Sequence, residues 1–205
     1  MIGHASPCNG RKRAVFLDRD GVLTEDLLLT SVSQIRIFEG VPDALKRLKE
    51  AGFFLIVVTN QTVVSRGLAT EEQVDELNRA VREKIVNGGG ALLDAFYVCP
   101  HHPNATVERY RKLCDCRKPG PGMFLQAARE WNIDLGGSFM VGDRVTDIAA
   151  GARAGCRTVL LRTGAHLAPP IETAEPLDPG LLIPDFACDT MIEAAKWVLE
   201  QSCGR

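Results

Sequence analysis

The sequence has no strong excess of either charge: 24 lysines and arginines stand against 26 aspartates and glutamates, a formal net charge of -2. Nothing in that balance draws the chain to nucleic acid or to an anionic membrane surface. Aromatic residues are scarce at 6%, too few for a track of base-stacking side chains. No window reaches the roughly 18 consecutive apolar residues of a membrane-spanning helix. The first strongly apolar run, Ala14 to Leu17, stops at once in Asp18, Arg19 and Asp20, so it is not a secretory core segment. Seven cysteines are an odd number for a disulfide framework. Internal repeats, low-complexity segments and room for a second domain are all lacking.

What remains is ordinary globular material. The 205 residues, 45% hydrophobic and 24% charged, suffice for one domain with a real core. Met1 to Gly10 reads as a loose tail with Arg11, Lys12 and Arg13 as its solvated end, which gives a flexible segment over 1–12 and one domain over 13–205. Strands are expected at Ala14–Leu17, Phe53–Val58, Leu92–Val98, Ser138–Val141 and Arg157–Leu161. The run Phe53–Val58 is nearly all apolar, the pattern of a strand covered on both faces. Between the strands lie helical patterns. Glu39–Ala51 carries apolar Val41, Ala44, Leu45 and Leu48, with Pro42 in its first turn. The next helix starts at Thr70, which with Gln73 forms a capping box, and its stripe is Val74, Leu77, Val81 and Ile85. Met123–Trp131, Thr146–Ala154 and Thr190–Gln201 complete the set, while Pro100–Gly120 and Thr163–Pro184 read as loops. Such alternation predicts an α/β fold, a parallel sheet with helices on both faces, with catalytic groups just past the carboxyl ends of the strands.

Acidic residues fall at those ends. Asp18 follows the first strand and Asp20 lies two residues on, so extended backbone would point both side chains the same way. Asp143 follows the fourth strand, with Asp147 four residues on. Clustered carboxylates repel unless a cation joins them, and Mg2+ accepts such hard oxygen ligands. Thr59 and Asn60 end the second strand, where a hydroxyl and an amide could hold phosphoryl oxygens. Lys118, between Arg117 and Pro119, would supply a point charge. Cys99, His101, His102, Cys114 and Cys116 crowd together, which reads as metal binding in a reducing compartment, the cytoplasm. Cys99, His101, Cys114 and Cys116 offer a nitrogen and three thiolates, a set suited to tetrahedral zinc, with His102 the rival histidine. No position is left for water, so the zinc would be structural. Cys8, Cys156, Cys188 and Cys203 read as unliganded, Cys156 in the core.

The run Phe16-Leu17-Asp18-Arg19-Asp20-Gly21-Val22 resembles the first motif of the haloacid dehalogenase-like (HAD) phosphatases. Thr59 resembles their second motif, Lys118 their third, and Gly142-Asp143 with Asp147 their fourth. Within that family, Thr59-Asn60-Gln61 with Arg66-Gly67, Cys99-Pro100-His101-His102-Pro103 and Cys114-Asp115-Cys116-Arg117-Lys118-Pro119-Gly120 are similar to the heptose bisphosphate phosphatases and their relatives, the histidinol-phosphate phosphatases. The resemblance implies a Rossmann-like HAD fold without a large cap and with a zinc-bound loop. It implies Asp18 as nucleophile and Asp20 as general acid, then base. It implies Mg2+ on Asp18, the carbonyl of Asp20 and Asp143, with phosphoryl oxygens on Thr59 and Lys118, Asn60 beside them, and Asp147 in support. Arg66 and Arg117 would face a second phosphate, as guanidinium groups grip phosphate bidentately. The implied reaction removes the C7 phosphate of D-glycero-D-manno-heptose 1,7-bisphosphate, a small phosphorylated sugar, in a monomeric enzyme. The alternatives are a histidinol-phosphate phosphatase, for which Glu25 and Asp26 are the acidic contacts, a nucleic-acid 3'-phosphatase, and a non-catalytic zinc-stabilised module.

Overall fold

The computed structural model describes residues 10–25, 28–163 and 178–202. Cys8, Asp26 and Cys203 lie outside the described residues. Six strands are described: β1 (Ala14–Leu17), β2 (Phe54–Asn60), β3 (Ala95–Cys99), β4 (Phe139–Gly142), β5 (Arg157–Leu161) and β6 (Phe186–Cys188). They form one sheet in the order β3-β2-β1-β4-β5-β6, every neighbouring pair parallel. The helices are α1 (Val41–Glu50), α2 (Thr62–Ser65), α3 (Glu71–Asn87), α4 (Gly122–Trp131), α5 (Val145–Ala154) and α6 (Met191–Ser202).

The period of two along each central strand divides the core. Val15, Leu17, Leu55, Val57, Phe139 and Val141 enter one apolar layer with α1, α3 and α6. Ala14, Phe16, Ile56, Val58 and Met140 enter the opposite layer with Met123, Phe124 and Ala127 of α4. Each fully buried large side chain contributes on the order of 2 kcal/mol, so the continuous apolar runs of β1 and β2 follow from their having no wet face. The expected stripes of α1 and α3 are buried as read. The Thr70–Gln73 box is formed, with the Thr70 amide donating to Gln73 Oε1 at 2.8 Å and the Gln73 amide to Thr70 Oγ1 at 3.2 Å.

The structure adds to or corrects the expectations at three places. The third strand begins at Ala95 rather than Leu92, because the Asp94 carboxylate takes the Leu55 amide (2.7 Å) and Lys49 and so ends the ladder there. Between the expected loop Thr163–Pro184 and the last helix, where no element was expected, lies the short strand β6, too brief for alternation to show. It is fixed by the Asp185 carboxylate, which accepts from the Thr158 amide at 2.7 Å. Lys12, expected in the solvated tail, is bonded through its backbone to Asn132 and Asp134 beside α4.

The chain lays β2 and β3 on one side of β1, and β5 and β6 on the far side of β4. The adjacent carboxyl ends of β1 and β4 are therefore the topological switch point, where open α/β sheets bind ligands.

Candidate active site

The register Leu17↔Val141 brings the ends of β1 and β4 level, and the Asp18 amide continues the ladder onto the Val141 carbonyl at 3.0 Å. Asp18 therefore leaves β1 beside Asp143, one residue beyond β4. Oxygens of Asp18, Asp143 and Asp147 lie within 4.8 Å of one another. Two glycines permit the approach. Gly21 has φ +89, and a Cβ there would collide with the Asp143 carboxylate; a Cβ on Gly142 would collide with Asp147.

Asp143 is fully buried and neither of its carboxylate oxygens has a hydrogen-bond partner. Burial, followed by the charges of Asp18 and Asp147, pushes it up to about 8. Burial likewise raises Asp18 to about 6, against the pull of Lys118. Two orphaned oxygens facing two further carboxylates fit a hard divalent cation such as Mg2+.

Lys118 stands on the other side of Asp18. Its ammonium reaches Asp18 Oδ1 at 2.9 Å and Asp147 Oδ1 at 2.7 Å, and donates to the Val58 carbonyl at 2.8 Å. Burial opposes that charge, but Asp147 and Asp18 more than offset it and raise the ammonium above its ordinary value. Asn60, at the end of β2, lines the cavity and also binds the backbone of Lys118. Its Oδ1 accepts from the Lys118 amide and its Nδ2 donates to the Lys118 carbonyl, both at 3.1 Å. It thus pins the lysine's backbone from the end of β2.

Asp20 does not join the acidic trio. Its carboxylate is turned into a separate set of donors: Arg19 Nε and Nη2 at 2.9 Å each, Gln61 Nε2 at 2.8 Å and Thr24 Oγ1 at 3.2 Å. Asp18 and Asp20 nevertheless line the same cavity, and the charge of Asp20 is among those that raise Asp18. A cavity of about 310 Å3 is lined by Asp18, Asp20, Thr59, Asn60, Lys118 and Asp147 together with Arg66, His102 and Arg117. Arg66 and Arg117 both act on His102: after burial, their charges lower its imidazole below the ordinary value.

Cys99, His101, Cys114 and Cys116 converge behind Arg117. Cys116 Sγ lies 3.0 Å from Cys99 Sγ, 3.1 Å from Cys114 Sγ and 3.3 Å from His101 Nδ1. Tetrahedral zinc with sulfur at about 2.3 Å needs ligand separations near 3.8 Å, so a small expansion would accommodate the ion. Hydrogen bonding from Cys99, ahead of Cys114 and His101, pulls the Cys116 thiol down to about 5, favouring the thiolate a metal needs. His102 is turned elsewhere, its Nδ1 accepting from the Asn104 amide at 3.0 Å. Between the two candidate histidines, the convergence is on His101.

Sequence reasoning passed over Arg19, Gln61 and Asn78. Arg19 enters the sequence reading only as part of the run around Asp18 and Asp20, yet it is fully buried. Asn78 carried a signal: it lies beside Leu77, at the i+4 position from Val74 on the α3 stripe, where an amide needs a partner.

The family model described as HAD-hydrolase-like matches residues 115–188. The D-glycero-beta-D-manno-heptose-1,7-bisphosphate 7-phosphatase of Escherichia coli O6:H1 is 44% identical over 163 residues, covering 78% of this chain and 85% of the relative. The chain belongs to the HAD-like phosphatases. As a member it is a phosphoric monoester hydrolase. A crystal structure of D,D-heptose 1,7-bisphosphate phosphatase from B. bronchiseptica, complexed with magnesium and phosphate, has TM-score 0.75 and 30% identity, covering 92% of this chain and 99% of that one. A HAD-like phosphatase from Mesorhizobium loti has TM-score 0.78 at 25% identity, covering 98% and 91%. Among the described residues, no helix is long and apolar enough to cross a membrane.

Proposed function

We propose that this HAD-like phosphatase removes the C7 phosphate of D-glycero-β-D-manno-heptose 1,7-bisphosphate and leaves the C1 phosphate in place. The observation that carries the reading is one cavity lined both by Asp18, Thr59 and Lys118 and by arginines, Arg66 and Arg117 among them. The first group suits a reacting phosphoryl, and the second suits a phosphate that stays on the sugar. The relatives named for this bisphosphate support the same choice, including the β anomer. For histidinol phosphate an amine would need acidic partners. Glu25 is exposed and does not line the cavity, and Asp26 lies outside the described residues.

In this reading an Asp18 oxygen attacks phosphorus while the bond from phosphorus to the C7 oxygen breaks. Asp20 gives that oxygen its proton. Water then attacks the aspartyl phosphate, Asp20 takes the water's proton, and Asp18 is released as carboxylate. One acid–base group serves both halves because they need opposite transfers at one place. Thr59 and Lys118 hold the phosphoryl oxygens, and Asn60 fixes the backbone from which Lys118 projects. Asp18, the Asp20 carbonyl and Asp143 would hold Mg2+, which when bound offsets the repulsion between carboxylate and phosphate dianion. Zinc on Cys99, His101, Cys114 and Cys116 would be structural, holding the loop that carries Arg117 and Lys118. The enzyme is read as a cytoplasmic monomer.

The test is phosphate release, with Mg2+ and with chelator, from both anomers of the heptose bisphosphate, fructose 1,6-bisphosphate, histidinol phosphate and a 3'-phosphorylated oligonucleotide. Preference for the β-heptose bisphosphate, with the C1 phosphate retained in the product, is expected. Preference for histidinol phosphate would overturn the roles given to Arg66 and Arg117 while leaving the chemistry of Asp18 intact.

A further inference from the structure

We infer that Arg19, Gln61 and Asn78 are positioning residues that fix where the Asp20 carboxylate points, with Asn78 of α3 as the outer anchor. The inference rests on the reading of Asp20 as the acid–base group. Arg19 is fully buried, a costly place for a guanidinium unless its donors are used. Its Nε and Nη2 fork onto the two oxygens of Asp20 at 2.9 Å each. A planar fork of this kind sets the plane of the carboxylate as well as its position. The far side of the same guanidinium is tied down: Nη1 donates to Asn78 Oδ1 at 2.9 Å. Nη2 also donates to Gln61 Oε1 at 2.8 Å. Gln61 closes the frame, donating from Nε2 to Asp20 Oδ2 at 2.8 Å and to Thr59 Oγ1 at 2.9 Å. The acid–base group and the hydroxyl assigned to the phosphoryl oxygens therefore share one rigid scaffold.

Asn78 does not line the catalytic cavity and sits on the apolar face of α3, 3% exposed. Removing its oxygen frees one end of the guanidinium, and the fork can rotate about its remaining bonds. Misplacing a reacting group by about an ångström costs on the order of 100-fold in rate. General acid catalysis as a whole contributes roughly 100- to 10,000-fold. The loss should fall only on leaving groups that need a proton. A primary alkoxide does, whereas 4-nitrophenolate departs without one. A residue that merely stabilises the fold would affect both substrates alike.

The experiment is rapid-quench measurement of aspartyl-phosphate formation by the Mg2+-loaded chain, with a primary alkyl phosphate and with 4-nitrophenyl phosphate. Asn78→Ala should slow the alkyl reaction by about 10-fold or more and leave the aryl reaction within about 2-fold. Asn78→Asp, which keeps an oxygen for Arg19, should restore most of the alkyl rate. Arg19→Lys keeps the charge but loses the fork, and should show the selective alkyl loss even where Asn78→Ala does not fold. Equal losses on the two substrates, or no alkyl loss in either variant, would overturn the positioning role. Asp20→Asn is the reference: equal losses in that variant would overturn the acid–base reading itself, and the inference with it.

Discussion

Replacing Asp143 by asparagine should stabilise the metal-free protein while abolishing its response to Mg2+. Asp143 is buried with both oxygens unpartnered, and its carboxyl is pushed from 3.8 to about 8 by burial and by Asp18 and Asp147. A carboxyl whose folded value is raised binds its proton more tightly in the native state. The stability it contributes is complete below the unfolded value and is lost as pH climbs to the folded one. At about 1.4 kcal/mol per tenfold change in acidity, the full interval amounts to roughly 6 kcal/mol. Relaxation and water entry around the ionised trio should reduce this to about 3 kcal/mol. For a chain of this size that is roughly 6–12 °C in Tm. In chelator, the Asp143→Asn gain over wild type should therefore be near zero at pH 4, grow until pH 8 and then level off. With Mg2+ at about 100 times its Kd, wild type should recover about 2.7 kcal/mol and the variant should recover nothing. Thermal melts of both proteins across pH 4–9, each with chelator and with Mg2+, read all of this out. A gain that does not vary with pH, or a variant that Mg2+ still stabilises, would refute the argument.

Gly21→Ala should remove the Mg2+-dependent rise in Tm, because the new methyl collides with Asp143 at a φ of +89; melts with and without Mg2+ test this. Lys118→Met should lower kcat by at least about 100-fold, the usual loss when one charge-stabilising group is removed, measured with 4-nitrophenyl phosphate. Cys114→Ser should reduce bound zinc in elemental analysis and expose the 100–116 segment to protease, lowering Tm as the loop loses its tether. Arg66→Ala and Arg117→Ala should raise KM for the heptose bisphosphate about 10-fold or more while leaving KM for a simple monophosphate unchanged; steady-state kinetics on the two substrates decides.

Much of the fold was legible because its strands are apolar on both faces and its helices carry clear stripes. The capping box at Thr70 and Gln73 follows from hydrogen-bonding rules that act over three residues, and it forms as read. What escaped depends on contacts distant in sequence. β6 is three residues long and exists because Asp185 meets Thr158, 27 positions away. The start of β3 is set by Asp94 reaching back to Leu55, 39 positions away. In the site, the meeting of Asp18, Asp143 and Asp147 was readable from strand ends alone. The donor set that holds Asp20 was not, since it depends on Arg19, on Gln61 and, through Arg19, on Asn78 of α3. The bonds from Asn60 to the Lys118 backbone were equally hidden, since the two residues lie 58 positions apart.

The aspartates at this switch point are the same residue type and lie in one small volume, so their different parts must come from what surrounds them. Asp143 receives no hydrogen bond at either oxygen, whereas Asp20 receives four. A carboxylate stripped of donors and set among other carboxylates is suited to a cation and to little else. One held by a fork, an amide and a hydroxyl has a fixed direction, which proton transfer to a departing oxygen requires. Lys118 separates the two environments: it bonds Asp18 and Asp147 on the metal side and is clamped by Asn60 behind. The fold thus assigns carboxylates to metal binding or to proton transfer by the supply of donors. The buried Arg19 side chain supplies two of the four donors to Asp20 and none to Asp143.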